Sequence, residues 1–527
     1  MLRELPVGIQ DFESLRQRGY LYVDKTARLQ ELVQRGERYF LSRPRRFGKS
    51  LTLSTLGAMF SGKVELFRGL AAEAWVAERV RDPVPVLMLD MAGYPSGDAK
   101  SFSDGLCMDL LVYARKRGLP VLRGESEGLL GALKDVLEGL YEQCGPVAVL
   151  IDEYDEPMLN NIGNLKMADV MRQVLRSFYV TLKSCDKYLR FVILTGISKF
   201  SKMGVFSAMN NLRDISMSDK FGDIVGYTQR ELEENFSERL DIVAERMKLT
   251  HEELLDRVKD YYDGFCFDGE TRLYNPFSIL NFLSEQRFGN YWYESGSPSF
   301  IVSYMRDHSI RMPEEYQHIR VKENFTSSQE IERAKPESFL YQAGYLTIEK
   351  WEGQSLTLDY PNREVLDSIS SMYLENVYHV ASYDSIGSEL WTALRGGDIE
   401  EAVRLYNMAL SSIPSQDFAN ANESLYRSLF LMLLRGAGIT AHGEVPTNLG
   451  RSDVLALFPG RVVVLEFKLA RKKSEIDRLR EEGLKQIEEK GYAKPYTGAL
   501  TGAGSAEHRA VTSAVIVIDG ERREAML

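Results

Sequence analysis

Short, continuously apolar runs separated by helical patterns dominate the first 220 residues. They are Arg38-Tyr-Phe-Leu41, Val84-Pro-Val-Leu-Met-Leu-Asp90, Val147-Ala-Val-Leu-Ile-Asp152 and Arg190-Phe-Val-Ile-Leu-Thr195. Strands apolar on both sides predict a parallel sheet covered by helices on each face. The acids and hydroxyls at their carboxyl ends stand where such sheets place ligands. From about 225 to 395 the chain turns charged, aromatic and mostly helical, with turn signals at Asp263-Gly264, Asp268-Gly269 and Asn275-Pro276. After Ser411-Ser-Ile-Pro414 the pattern changes again. It predicts a helix over 422–434, strands over 439–445, 452–458 and 461–469, a charged helix over 474–490 and a last strand over 514–518. The expected division is therefore 1–222, 223–395 and 396–527, the last an αβββαβ domain.

Composition narrows the classes. The 65 Lys and Arg against 76 Asp and Glu leave a net charge of −11. A protein basic throughout is excluded, and any nucleic-acid site must be a local basic patch on an acidic body. Cys107, Cys144, Cys185 and Cys266 form no CxxC pair. That argues against a disulfide scaffold or structural zinc and suits a reducing cytosol. No apolar run approaches the roughly 18 residues needed to span a bilayer, and the N-terminus, with its acids and no apolar core, does not read as a signal peptide. The expectation is a soluble cytoplasmic protein with no membrane partner.

Arg43-Pro-Arg-Arg-Phe-Gly48-Lys49-Ser50 follows a strand and opens a helix, the context of a GxxxxGK[ST] phosphate-binding loop. Gly48 lets the backbone approach phosphate oxygens, and the helix N-terminus offers unpaired N–H groups. Lys49 would reach the β- and γ-phosphates and the Ser50 hydroxyl would bind Mg²⁺. Arg43 stands where the first glycine is usual, so the turn must be made by a residue carrying a Cβ. The apolar strand ending in Asp152-Glu153 supports the same reading: Asp152 for the Mg²⁺ shell, Glu153 to polarise the attacking water. Thr195 is either a sensor of the γ-phosphate or an ordinary strand-end hydroxyl. Arg45 and Arg46 have three readings: phosphate contact, an oligomer interface, or a solvated loop.

In the last part, Asp453 is expected to begin one strand, and Glu466-Phe-Lys468 to end the next, thirteen residues later. Strand alternation puts Glu466 and Lys468 on one face and Phe467 on the other. An Asp and a Glu on adjacent strands can share a hard cation such as Mg²⁺, which activates water and stabilises a phosphodiester in flight. Lys468 can position or deprotonate the water. This is the logic of a PD-(D/E)XK nuclease site, with Gly450-Arg-Ser-Asp453 in place of the literal Pro-Asp. Glu423 opens the preceding helix on the stripe of Tyr426, Phe430 and Leu433, so it can act as a third acid. Gln486 shares a stripe with Leu479 and Gly483 and resembles the glutamine that some nucleases of this superfamily place beside the site; Tyr492 follows it, at a spacing that departs from the common QxxxY form. Each piece also has an ordinary explanation: an exposed ion pair, a turn aspartate, a first-turn acid favoured by the helix dipole. Arg471-Lys-Lys473 and Arg478-Leu-Arg480 suit a phosphate backbone or a solvated face equally. No HxxxH or HExxH spacing is present among the six histidines, which argues against a zinc hydrolase.

Leu5-Pro-Val-Gly-Ile-Gln-Asp-Phe12, Tyr22-Val-Asp-Lys-Thr26, Ser42–Ser50, Ile151-Asp-Glu-Tyr-Asp155, Thr195-Gly-Ile-Ser-Lys199, Tyr261-Tyr-Asp-Gly-Phe265 and Tyr274-Asn-Pro-Phe277 together resemble the AAA-ATPase-like family of bacteria and archaea. A PD-(D/E)XK nuclease-like domain commonly follows its ATPase part, and Arg43 belongs to its pattern. The resemblance implies an α/β chain: a P-loop ATPase-like parallel-sheet domain, a helical, winged-helix-like middle region and a C-terminal restriction-endonuclease-like domain. The expected nucleotide site is Arg46, Gly48, Lys49, Ser50, Asp152 and Thr195 with Glu153 catalytic. The expected nuclease site is Asp453, Glu466, Lys468 and Gln486, with Glu423 a further metal ligand. ATP and Mg²⁺ are the expected cofactors. The expected partner is nucleic acid, DNA before RNA, with a homo-oligomer as an open expectation. The alternative is an ATP-switched nucleic-acid- or partner-binding protein with an inactive nuclease fold.

Overall fold

The computed structural model describes residues 2–527 except 37, 80–81, 200–208, 210, 295–300, 302–311, 327–334, 381–382, 419–420, 448–449 and 497–509. The chain forms two compact units, Met1–His308 with His318–Glu364, and Ser309–Gln317 with Val365–Leu527.

The first unit is built on five parallel strands, β1 (Arg38–Ser42), β2 (Val86–Asp90), β3 (Val147–Asp152), β4 (Leu189–Gly196) and β5 (Arg213–Asp214), in the order β2-β3-β4-β1-β5. β3 is buried at every residue, which is why it reads as an unbroken apolar run. Val149 and Ile151 pack with the helices Ala99–Lys116, Leu129–Cys144 and Leu165–Ser184. On the opposite side, Gly57 of the helix Lys49–Phe60 meets Leu150 and Val86. The expected runs are therefore strands in a parallel sheet, and the two-residue β5 is an addition.

Downstream, the helices Gln229–Met247 and His251–Tyr262 each start with a complete capping box, Thr228 with Glu231 and Thr250 with Glu253. Asn275-Pro276 is not a free turn: Asn275 caps the helix Pro276–Glu285, its side chain accepting from the Phe277 and Ser278 amides, and Pro276 takes the N1 position that suits its fixed φ. This stretch also holds a sheet that a mostly helical reading passes over: β6 (Ile319–Lys322), β7 (Thr347–Glu352) and β8 (Ser355–Asp359), antiparallel, in the order β6-β8-β7.

The helix Arg363–Asn376 carries the chain into the second unit. There β9 (Thr440–Thr447), β10 (Gly450–Phe458), β11 (Arg461–Ala470), β12 (Ala510–Asp519) and β13 (Glu524–Met526) form one sheet in the order β13-β12-β11-β10-β9. β11 and β12 run parallel, and the helix Ile476–Lys490 lies between them in the chain, as a parallel crossover requires. The expected αβββαβ order is present, but β12 is longer than 514–518 and is followed by β13. Asp453 is the fourth residue of β10 rather than its start, and Glu466 lies mid-β11 rather than at its end. Among the described residues no helix is long and apolar enough to cross a membrane.

Candidate active sites

At the end of β1 the chain passes through the loop Arg43–Phe47 into the helix Lys49–Phe60, with Gly48 at its N-cap and φ of 92°, a left-handed conformation that favours glycine. The loop borders a cavity of about 290 Å³ whose lining includes Gln10, Arg46, Gly48, Lys49, Ser50 and Glu153. Lys49 is 3% exposed, and its ammonium donates to the carbonyls of Arg43 and Pro44, both at 3.2 Å. Its Nζ lies 3.6 Å from Glu153 Oε1. Lys49 thus satisfies its own loop.

Arg43 is not among the residues that line this cavity. It is 1% exposed, and its guanidinium donates to the carbonyls of Ser216 (2.6 Å), Phe221 and Gly222 (3.4 Å each) and stacks 4.1 Å from the Phe267 ring centre. Burial lowers its pKa to about 10. The positive φ in the loop's non-glycine part falls on Arg46, at 65°, and its guanidinium lies 4.8 Å over the Phe277 ring. Arg45 pairs with Glu156 at 3.1 Å.

β3 ends at Asp152, which is buried and accepts the hydroxyl of buried Thr195 from the end of β4. Both are therefore brought together beside Glu153, which has φ of 46°. Among the described residues, Glu153 Oε2 is buried without a hydrogen-bond partner. Burial pushes its carboxyl up to about 7, the charges of Asp152 and Asp155 adding to the shift and Lys49 opposing it. Such a group suits proton transfer near neutral pH. Asp155 is fully buried and clamps the turn after β4, accepting from the Ile197 and Ser198 amides and the Ser198 hydroxyl. Gly196 is needed there, because a Cβ would lie 2.4 Å from Asp155 Oδ1.

In the second unit, Asp453 sits one residue beyond the Val454–Leu465 pair of β10 and β11, beside Glu466. Its Oδ2 accepts the Phe467 amide at 2.8 Å. Glu466 is 1% exposed; Oε1 accepts from Lys468 Nζ at 2.8 Å, and among the described residues Oε2 is buried without a hydrogen-bond partner. Glu423 opens the helix Glu423–Gly436 and accepts the Leu469 amide at 3.1 Å, so helix phase does turn it toward β11. Phe467 faces the other way, onto Phe430 and Tyr406. Burial pushes Glu466 up to about 7, with Asp453 and Glu423 adding repulsion and Lys468 opposing. Glu423 is raised for the same first reason. Desolvation alone would lower Lys468, but its bond to Glu466 and the charges of all three acids outweigh it. Gln486 donates to Tyr492 Oη at 3.1 Å; its bond goes to that tyrosine rather than to the acids.

The chain matches the model of the AAA-ATPase-like family, described as a predicted AAA-ATPase, over residues 6–206. It matches a PD-(D/E)XK nuclease superfamily model over residues 421–526. It is 32% identical, over 506 residues and 94% of each chain, to "Uncharacterized protein in vnfD 5'region" of Azotobacter chroococcum mcd 1. The chain belongs to the AAA-ATPase-like family. No solved structure matches it.

Two groups in this AAA-ATPase-like chain escape a motif-based reading. Arg427 bridges Asp453 Oδ1 (3.2 Å) and Glu444 Oε1 (3.0 Å); its only sequence signal is the i, i+4 spacing from Glu423 on one helix face. Asn275 and Trp292 donate to the Arg45 carbonyl at 3.4 and 3.2 Å, a link between segments over 200 residues apart that no local pattern announces. The proposed basic patch is mixed: Arg478 and Arg480 pair along their own helix with Glu482 and Asp477, whereas Arg471, Lys472 and Lys473 are exposed.

Proposed function

We propose that this AAA-ATPase-like protein binds ATP at the Gly48–Ser50 loop and, with Mg²⁺, cleaves phosphodiester bonds of DNA at Asp453, Glu466 and Lys468. The observation that carries the nuclease reading is Glu466, a nearly inaccessible carboxylate with one oxygen unpartnered among the described residues, flanked by Lys468 and two further acids. Burying a carboxylate with one oxygen left unpaired costs stability, which a cation taking that oxygen would offset. The donor set fits a hard divalent ion, which binds through carboxylate oxygens. Asp453 and Glu466 would hold it, with Glu423 as third acid; the ion supplies Lewis acidity and an activated water. Lys468, which donates to Glu466, would supply positive charge to the substrate phosphate. Gln486 is carried as an accessory residue acting with Tyr492.

At the other site, the amides opening the helix Lys49–Phe60 and Lys49 itself would receive the phosphates, Arg46 supplying further charge. Ser50 and Asp152 would hold Mg²⁺, Thr195 fixes the Asp152 carboxylate, and Glu153 takes a proton from the attacking water. We further read β6, β7 and β8 with the helix Pro336–Ala343 as a winged helix, supported by the strand order β6-β8-β7. A cytoplasmic location accords with four free cysteines.

One observation favours a second reading. Arg427 occupies Asp453 through an ion pair, which a nucleic-acid- or partner-gripping domain without catalysis could retain. Incubating wild type and Glu466→Gln with supercoiled, linear and single-stranded DNA and with RNA, each with and without Mg²⁺ and ATP, separates the two. Metal-dependent cleavage lost in the variant supports the nuclease; binding without cleavage in every condition supports the gripping domain.

A further inference from the structure

The loop at the nucleotide site is held by residues from far along the chain, and these holds converge on one carboxylate. The Arg45 carbonyl accepts from the Trp292 indole and from the Asn275 amide. Trp292 also uses its backbone: its amide donates to Glu364 Oε1 at 2.8 Å. Asn275 caps the helix that carries Ser278, and the Ser278 hydroxyl donates to Glu364 Oε2 at 2.7 Å. Two short routes therefore run from the loop to Glu364, which is 0% exposed and is the second residue of the helix Arg363–Asn376. Neither the nucleotide site nor the acids of the nuclease site use it.

Buried carboxylates are costly unless their oxygens are paired, and geometry fixed at both oxygens makes such a group rigid. Lys49 now caps the carbonyls of Arg43 and Pro44, and a phosphate that draws Lys49 away releases both. The next carbonyl is that of Arg45, the one Trp292 and Asn275 hold.

We propose that Glu364 is a positioning residue for the phosphate loop, acting through Trp292 and Ser278, and that through it the helix Arg363–Asn376 registers whether nucleotide is bound. The inference rests on the nucleotide-binding reading. A ligand shifts a helix only if it binds the two arrangements with different affinity, so the readout must compare nucleotide states.

Hydrogen exchange across 363–376 is measured on the full chain with and without a non-hydrolysable ATP analogue and Mg²⁺, alongside calorimetric titration of the analogue. Wild type should bind the analogue and change its exchange in this helix. Glu364→Ala should still bind and lose that change. Because Glu364→Ala removes the buried acceptor of the Trp292 amide and the Ser278 hydroxyl and is prone to unfold, Trp292→Phe serves as the second variant: it removes the indole N–H but keeps an aromatic ring, and should likewise bind without the helix response. A merely structural role would lower the melting temperature while leaving the nucleotide-dependent difference intact. Wild type that binds with no change in this helix, or variants that respond as wild type does, overturns the role of Glu364 alone. Wild type that fails to bind the analogue overturns the nucleotide site and this inference with it.

Discussion

The carboxylate of Glu466 is buried against the chain's own repulsion, whereas that of Asp453 is held by Arg427 and the Phe467 amide. The two acids should therefore respond oppositely to amide substitution in metal-free protein. Glu466 has its folded pKa raised from 4.5 to about 7, so between those values the folded state binds more protons than the unfolded chain and stability falls as pH rises. Glu466→Gln removes this, and its melting temperature should match wild type near pH 4 and exceed it increasingly up to pH 8, scanned in chelator. A gap that does not open with pH would contradict the burial argument. Asp453→Asn still accepts the Phe467 amide but strips Arg427 of one charged partner, and should lose about 1–3 kcal/mol by denaturant titration at pH 7. At the other site, Lys49→Ala should abolish binding of an ATP analogue, while Glu153→Gln should bind and lose hydrolysis; equal affinity in Lys49→Ala removes the phosphate assignment. Asp152, Glu153, Asp453 and Glu466 are legible in the sequence because each ends, follows or interrupts an apolar strand, and Glu423 because it opens a helix with a clear apolar stripe. Arg43 is not, since its partners Ser216, Phe221, Gly222 and Phe267 lie more than 170 residues away.

The same distinction holds for whole elements. β1, β3 and β4 are buried along nearly all their length, and an apolar run is then the expected signal. β7 is buried only at Thr347 and Ile348, and β8 alternates buried with exposed or partly exposed residues; both carry charges, so they merge into a helical-looking context, and β5 and β13 are too short to show a period. The small sheet has its own device. His318, with φ of 53°, precedes β6 and places Nδ1 2.8 Å from Glu349 Oε2 of β7 and 3.3 Å from Asp359 Oδ2 of β8. Among the described residues these are the three whose ligand-type atoms gather within 4.8 Å, and two ion pairs already account for them. The bond to Glu349 raises the His318 pKa above 6.5 despite partial desolvation. A raised folded pKa stabilises fully below the unfolded value and is lost as pH rises through the folded one. His318→Gln should therefore unlatch β6 at pH 6 and change little at pH 9, read as faster amide exchange over 319–322. The effect is small, because the ring is 67% exposed.

At the scale of the molecule, an ATPase-like unit and a nuclease-superfamily domain share one chain whose net charge is −11. Net charge of this sign gives a polyanion no long-range attraction to the body, so if the chain acts on DNA, as proposed, contact would depend on a local surface such as Arg471-Lys-Lys473 and on what exposes it. If nucleotide binding governs that exposure, the two ligands are thermodynamically linked, and linkage is reciprocal: whatever factor ATP applies to DNA affinity, DNA must apply to ATP affinity. DNA binding is measured by anisotropy at fixed salt in nucleotide-free protein and with a non-hydrolysable analogue, and analogue binding by calorimetry with and without DNA. The expected result is a shift of about 5- to 150-fold, the usual range for coupled sites, equal in the two directions. Glu153→Gln, which should hold ATP without turning it over, must then behave with ATP itself as wild type does with the analogue, because the coupling belongs to occupancy and not to hydrolysis. Unequal factors would point to a third linked equilibrium such as self-association, detectable by repeating the titration at a different protein concentration. Identical DNA curves in both nucleotide states would mean that the chain joins two independent activities, and that the order of its domains reflects no switch.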